Sequence, residues 1–274
     1  MSKFGIQGLT RSLFGAKDRR GCANPACNAK SQGSGVSLFD QWFCGPDCFE
    51  QGMRNKVLEL LSDLRRHEKP PTLRMPLGLV LVSRGILSHE QLKVALDQQR
   101  ASGANFGEVL QDLGFATQQQ VTAAVAAQWS CPVFSLADRP LPTGVHIPTR
   151  LLEVYGLLPV HFSEVGRKLM VGFVVRVQHH ILSTIEQVTA CTATPCFVTD
   201  TEYRRHLQSL TAQVAENELV CDRTNGPAEI AKLVRTQVDE LGAEAARCGM
   251  CRDYLWVRLL GPKETDLLFR VQEN

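Results

Sequence analysis

Two stretches, PLGLVLVSRGILSHEQLKVALDQQ (residues 76–99) and NFGEVLQDLGFATQQQVTAAVAAQ (residues 105–128), are copies of one pattern. They share Gly78/Gly107, Val80/Val109, Leu81/Leu110, Gly85/Gly114, Gln91/Gln120, Ala95/Ala124 and Gln99/Gln128 at a constant offset, with five residues between the copies. Each reads as a short helix, a glycine turn and a longer helix. Gly85 and Gly114 fit the left-handed position that closes a helix. Ser88 and Thr117 stand where an N-cap belongs, and Gln91 and Gln120, three residues on, complete a capping box. Leu92, Ala95 and Leu96 form the apolar stripe of the first long helix; Val121, Ala124 and Val125 form that of the second. Two such hairpins can bury their stripes against each other as a pseudo-symmetric four-helix unit. Gln99 and Gln128 extend the stripes, and a partly buried amide needs partners. Either each ties down the loop of the other copy, or both contact a ligand lying across the pseudo-twofold. Gly78 and Gly107 would let such a ligand approach the backbone.

Upstream, Cys22 and Cys27 are followed by Cys44 and Cys48. Gly33 and Gly35 mark a turn, and Ser37 to Phe43 reads as a short hairpin. Gly45-Pro46-Asp47 begins a helix, since proline is tolerated in the first turn. Phe49, Met53, Val57, Leu60, Leu61 and Leu64 give that helix one apolar face, and Pro70-Pro71 ends it. Four thiolates around a tetrahedral zinc would replace the core that some 30 residues cannot build. Cys48 would sit at the positive end of the helix dipole, which favours a thiolate. A hairpin followed by a helix carrying the last ligand resembles a treble-clef finger, and the Trp42 to Phe49 stretch resembles FCS-type fingers. A structural zinc on Cys22, Cys27, Cys44 and Cys48 is therefore expected.

Downstream, Trp129 to Ser135 reads as a strand and Arg139 to His146 as a proline-rich loop. Pro148 starts a helix to about Tyr155. Leu157–Phe162 and Lys168–Val174 read as paired strands, Ile181–Thr189 as a helix, Pro195–Val198 as a strand, and Asp200 caps a helix to about Ala215. Glu216 to Gly226 reads as a polar linker, Pro227–Leu241 as a helix, and Tyr254–Leu260 with Asp266–Val271 as a hairpin. The expected fold class is α+β. Its expected units are a mobile basic tail (1–20), a zinc finger with its long helix (21–70), a repeat-plus-α+β domain (73–215) and a small C-terminal α/β unit (227–274). The tail's alternative is a basic amphipathic helix that touches a membrane or partner.

The repeats resemble the paired motif of the N-terminal (MshEN-type) domain of type II secretion and type IV pilus assembly ATPases, the GspE-like family. Leu77-Gly78, Leu81, Gly85, Leu92, Leu96 and Gln99 carry the likeness in the first copy. Phe106-Gly107, Leu110, Gly114, Val121, Val125 and Gln128 carry it in the second. The Leu-Pro-Val strand at 158–160 and the Leu-Met-Val-Gly strand at 169–172 extend it over about residues 73–213. The resemblance implies a docking domain of a bacterial secretion or pilus platform, or a cyclic di-GMP effector whose ligand meets Leu77, Gly78, Gln99, Phe106, Gly107 and Gln128. The arginine that opens each motif in the cyclic di-GMP binders is Pro76 in one copy and Asn105 in the other, and neither can stack on guanine or pair with phosphate as arginine does. Val175-Arg176-Val177 replaces the family's Asp-Pro after the second strand.

Composition and motifs narrow the classes further. Net charge is +2 over 274 residues, too even to favour nucleic acid over the whole chain. There is no apolar run of membrane-spanning length and no secretory signal, so ten cysteines read as thiols and metal ligands of a cytoplasmic protein. The chain has no Gly-x-x-x-x-Gly-Lys-Ser/Thr, Gly-x-Ser-x-Gly or His-Glu-x-x-His stretch. His179-His180 reads as a helix start rather than a metal site. Cys248-Gly-Met-Cys251 has redox or zinc spacing, with Cys191 and Cys196 as conceivable partners, but plain thiols are the simpler reading; Cys131 and Cys221 read as packed or free thiols. The expected function is a non-catalytic module that contacts a protein of a secretion or pilus-like system. A cyclic di-GMP effector is the alternative, and a zinc-finger nucleic-acid binder a distant third.

Overall fold

A computed structural model describes residues 21–29, 35–66, 74–137, 139–212, 217–221 and 226–271. The tail at 1–20, the turn at Gly33 and the helix end at Pro70-Pro71 lie outside the described residues.

The finger segment forms strands β1 (Val36–Leu38) and β2 (Gln41–Phe43) and then helix α1 (Pro46–Arg66). The repeats form α2 (Leu77–Ser83), α3 (His89–Ser102), α4 (Phe106–Asp112) and α5 (Gln118–Gln128). Next come α6 (Thr149–Tyr155), β3 (Leu157–Ser163), β4 (Lys168–Phe173), α7 (His179–Thr189), β5 (Thr192–Phe197) and α8 (Asp200–Ala212). The C-terminal part comprises β6 (Glu218–Cys221), α9 (Pro227–Leu241), β7 (Ala245–Cys251), β8 (Tyr254–Leu260) and β9 (Thr265–Arg270). The class is α+β, with the cysteine cluster and the C-terminal strands where the sequence places them.

The repeats fold as two interlocked hairpins. Ser88 and Thr117 each close a full capping box with Gln91 and Gln120. Gly85 and Gly114 have φ of 68° and 67°, the left-handed conformation that a side chain resists. α2 packs on α5 and α3 on α4, so each hairpin buries its stripe against the other. The symmetry stops at the outer faces. Thr122, Val125 and Ala126 of α5 are buried, and α5 also lies on β5. Their counterparts in α3 are Lys93, Leu96 and Asp97, and all three face solvent. Leu96 is thus not part of the buried stripe, because its flanking charges forbid burial without partners.

β3, β4 and β5 form a three-stranded sheet, antiparallel then parallel, with α7 as the parallel crossover. The strand expected at Trp129–Ser135 is a single parallel bridge, Val133 to Phe197. The helix expected to be capped by Asp200 is capped one residue earlier. Glu202 N donates to Thr199 Oγ1 at 3.3 Å, and Thr199 N donates back to Glu202 Oε2 at 3.2 Å. Glu202 Oε1 also accepts from Ser135 Oγ, Leu136 N and Ala137 N. Burial alone would raise this carboxyl, but these donors hold it at about 2.

The second sheet has the order β2-β1-β7-β8-β9-β6. Segments 21–70 and 227–274, separated in the sequence reading, meet here, because β1 runs parallel to β7 through Ser37↔Ala245 and Leu38↔Ala246. Two of its strands stand where none was expected. β7 holds the Cys-Gly-Met-Cys stretch, and β6 lies in the supposed polar linker, parallel to β9. Both faces are covered. α1 and α9 pack on one with Cys248, Leu255, Val257 and Phe269. The three-stranded half packs on the other, through α7, with Cys251, Tyr254, Trp256 and Leu268. Burial on both sides explains why β8 reads as an apolar run broken only by Arg258.

Gly249 sits where α7 crosses β7. A Cβ there would lie 2.8 Å from Thr184 Cγ2, and Thr184 cannot yield, because its Oγ1 donates to Met250 O at 2.7 Å and the residue is buried. Gly249→Ala should destabilise the chain by about 1–3 kcal/mol, read as a lower urea midpoint at unchanged slope. A midpoint at or above that of the wild type would contradict this packing.

Candidate metal centre, repeat face and inter-sheet clasp

The four expected cysteines converge. Sulfurs of Cys22, Cys27, Cys44 and Cys48 all lie within 4.8 Å of one another, the one such group among the described residues. Cys27 Sγ is 3.6 Å from Cys44 Sγ, which is 3.8 Å from Cys48 Sγ. Tetrahedral ligands at about 2.3 Å from a zinc stand about 3.8 Å apart, and the Cys27–Cys44 and Cys44–Cys48 separations match that spacing. Local bonds shape the site. Cys27 N donates to Asn24 O at 2.9 Å, and Ala26 N donates to Asn24 Oδ1 at 3.1 Å, making a tight turn. Asn24 Nδ2 donates to Cys48 Sγ at 3.4 Å, an outer-shell contact of the kind that orients a ligand. Burial raises the Cys22 thiol, but the backbone amides of Cys44 and Asn24 outweigh it and bring it to about 7. Cys44 is pushed up to about 12, first by Cys27 and then by Cys22. Four sulfurs this close cannot all ionise by themselves; a divalent cation removes the conflict. The arrangement can hold a metal ion, and no His, Asp, Glu or further Cys joins the group among the described residues.

On the repeat, both glutamines are engaged. Gln99 Nε2 donates to Ala104 O at 3.3 Å, and Gln128 Nε2 donates to Met75 O at 2.6 Å. Ala104 and Met75 are equivalent positions, each just before a copy, so each glutamine fastens the entry of the other copy. Gly78 and Gly107 are buried, and a Cβ on either would press on its own hairpin partner, Leu92 or Val121. Leu77 and Phe106 are half-buried at the same helix starts, packed on the core. Asn105 Oδ1 accepts from Gly107 N at 2.9 Å as an N-cap; Pro76 has no such bond. Arg74 lies with its guanidinium carbon 3.6 Å from the Trp129 ring centre and donates to Gln128 O at 3.5 Å.

A third cluster went unseen in the sequence. Asp266, 3% exposed, accepts from Trp256 Nε1 at 2.7 Å and from Arg258 Nε and Nη2 at 2.8 Å. His146 Nδ1 is 2.9 Å from Asp266 Oδ2, and its Nε2 is 3.0 Å from Glu218 Oε1. Glu218 in turn accepts from the amide and hydroxyl of Thr149. Burial would lower the His146 pKa, but its bonds to the two carboxylates raise it to about 9. An imidazolium with both nitrogens held by carboxylates is not a general base at neutral pH. It is a clasp joining the 139–147 strap to β6 and β9.

No protein-family model matches the chain. Over 121 residues, 43% of its length, it is 24% identical to the type IV pilus assembly ATPase PilB of Thermus thermophilus. Part of this chain is similar to a pilus ATPase. The chain spans 14% of the PilB length. Among solved structures, MshE with cdg is similar at 24% identity and a TM-score of 0.41, over 50% of this chain and 99% of that one. The N-terminal domain of XpsE is similar at 15% identity and a TM-score of 0.38, over 48% and 91%.

Among the described residues, the remaining cysteines build no second centre. Cys248 and Cys251 lie on opposite faces of β7, one in the α1/α9 core and one in the other, so they share neither an ion nor a disulfide. Burial pushes both thiols up to about 12. Cys191 and Cys196 are buried too. His179 begins α7, as the pair His179-His180 implied. No helix among the described residues is long and apolar enough to cross a membrane. The clasp was missed because its members lie up to 120 positions apart; the one signal was the opposed charges of Arg258 and Asp266 in strands that otherwise read as apolar.

Proposed function

We propose that this chain is a non-catalytic cytoplasmic binding module that docks a partner protein of a secretion or pilus-like assembly, with a structural zinc on Cys22, Cys27, Cys44 and Cys48. The observation that carries this reading is the repeat itself. Its polar groups close the fold: Gln99 and Gln128 fasten loops, and Asn105 caps a helix. What remains outward is the charged and apolar face of α3, with Val94 50% exposed and Leu96 37% exposed, suited to a protein surface rather than to a buried small ligand. The partial similarity to PilB points the same way. In this reading, residues 73–215 are the docking domain, and 21–70 with 227–274 are the platform that carries it.

The second reading is a cyclic di-GMP effector using Leu77, Gly78, Gln99, Phe106, Gly107 and Gln128. It draws on Arg74, a planar cation lying on Trp129 beside Gln128. Titration calorimetry of the whole chain with micromolar cyclic di-GMP is expected to give no heat, while cross-linking in the native cell is expected to join α3 to a component of the assembly. Saturable heat that Arg74→Ala abolishes would transfer the function to the dinucleotide.

A further inference from the structure

A cleft of about 720 Å³ lies between the proline-rich strap, α6 and α8. Its floor is apolar: Val145, Ile147, Leu152 and Pro159 line it, all buried. Leu141 and Leu210 are its half-buried walls. Two arginines sit at its rim. Arg139 comes from the strap and Arg205 from α8, where Arg205 Nη2 donates to Nε2 of the neighbouring His206 at 3.5 Å. Among the described residues, no Asp or Glu lines the cleft. Charge of a single sign around a low-dielectric cleft draws ions of the opposite sign. The volume and the mostly apolar lining with a few convergent polar groups match those of small-molecule sites.

The walls are also held in place before any ligand arrives. Pro140 and Pro142 restrict the strap's backbone. Gly144 lies so near Phe162 that a Cβ would stand 2.8 Å from its Cδ1. His146, at the strap's end, is pinned by Asp266 and Glu218. A preformed site loses little affinity to ordering.

We propose that this cleft binds a small amphipathic anion, its carboxylate or phosphate head held by Arg139 and Arg205 and its apolar body laid on Val145, Ile147 and Leu152. The strap that forms the floor also carries His146, so an occupant bears on the clasp to the six-stranded sheet.

The test uses the whole chain and the fluorescent anion 8-anilinonaphthalene-1-sulfonate, with uncharged N-phenyl-1-naphthylamine beside it. Saturable binding at one site per chain is expected for the sulfonate, weakened about tenfold in Arg139→Glu/Arg205→Glu protein and weakened again by salt. Both arginines are exposed, so the variant should melt where the wild type does, which separates lost binding from lost folding. The neutral dye should bind more weakly by a similar factor. Failure of the sulfonate to saturate, equal binding to the double variant, or equal binding of the neutral dye would each overturn the proposal.

Discussion

Cys44→Ser protein is expected to contain almost no metal, against about one zinc per chain in freshly purified wild type. The magnitude should be large, since structural zinc contributes on the order of 10–16 kcal/mol of apparent binding energy at neutral pH. Cys44 touches both Cys27 and Cys48, so its loss opens the tetrahedron rather than trimming its edge. The effect should spread beyond the finger. β1 hangs on β7 through Ser37 N to Glu244 O at 3.0 Å and Phe39 N to Ala246 O at 2.9 Å. Arg235 of α9 also holds Asp47 and Glu50, the neighbours of Cys48, at 2.8 and 2.9 Å. Amide exchange should therefore rise in β1, β2 and the first turns of α1, and then in β7. Cys131→Ser, outside the cluster, should keep its metal. Elemental analysis that finds no metal in the wild type, or a full complement in Cys44→Ser, would remove zinc from the account.

Asp266→Ala should be the most damaging substitution away from the cysteines. It removes the shared acceptor of Trp256, Arg258 and His146 and leaves the Arg258 side chain, 5% exposed, beside an apolar gap. Breaking a buried pair by deleting one partner costs about 3–5 kcal/mol, or roughly 10 °C in melting temperature for a chain of this size. Arg258→Met combined with Asp266→Leu should cost less than Asp266→Ala alone, because no charge is then left buried. A loss under about 1 kcal/mol for Asp266→Ala would mean that water reaches the site. The pH dependence has a definite sign. The His146 pKa is raised on folding, so its contribution is complete below its ordinary value of 6.5 and is lost as pH rises through about 9. The Asp266 pKa is lowered, so its contribution is present above its ordinary 3.8 and is lost as pH falls below that. Denaturant midpoints should therefore fall between pH 7 and 10, and His146→Gln should flatten that decline.

Local patterns were legible where the information lies within one turn or one hairpin. Gly85 and Gly114 announced left-handed turns, and Ser88 with Gln91 announced a capping box, because those bonds join residues three or four apart. The apolar spacing from Phe49 to Leu64 announced one buried face of α1. The four-cysteine spacing announced the four-sulfur cluster, because a finger must carry its own ligands. β6 was not legible. Four residues with Leu219 and Val220 exposed have no period to read, and only the parallel neighbour β9 makes them a strand. Cys248-Gly-Met-Cys251 builds no centre, as the plain-thiol reading had it, because a spacing of three places side chains together on a helix but on opposite faces of a strand.

What the sequence determined by itself about this protein is its helices, the two copies and the four sulfurs, since each depends on neighbours along the chain. The tertiary structure alone decided that the first and last strands share a sheet, that α5 is covered and α3 is not, and that His146, Glu218, Arg258 and Asp266 meet. Those outcomes rest on pairings between distant residues. Such pairings are selected by which faces can be buried together, and no local pattern records that choice.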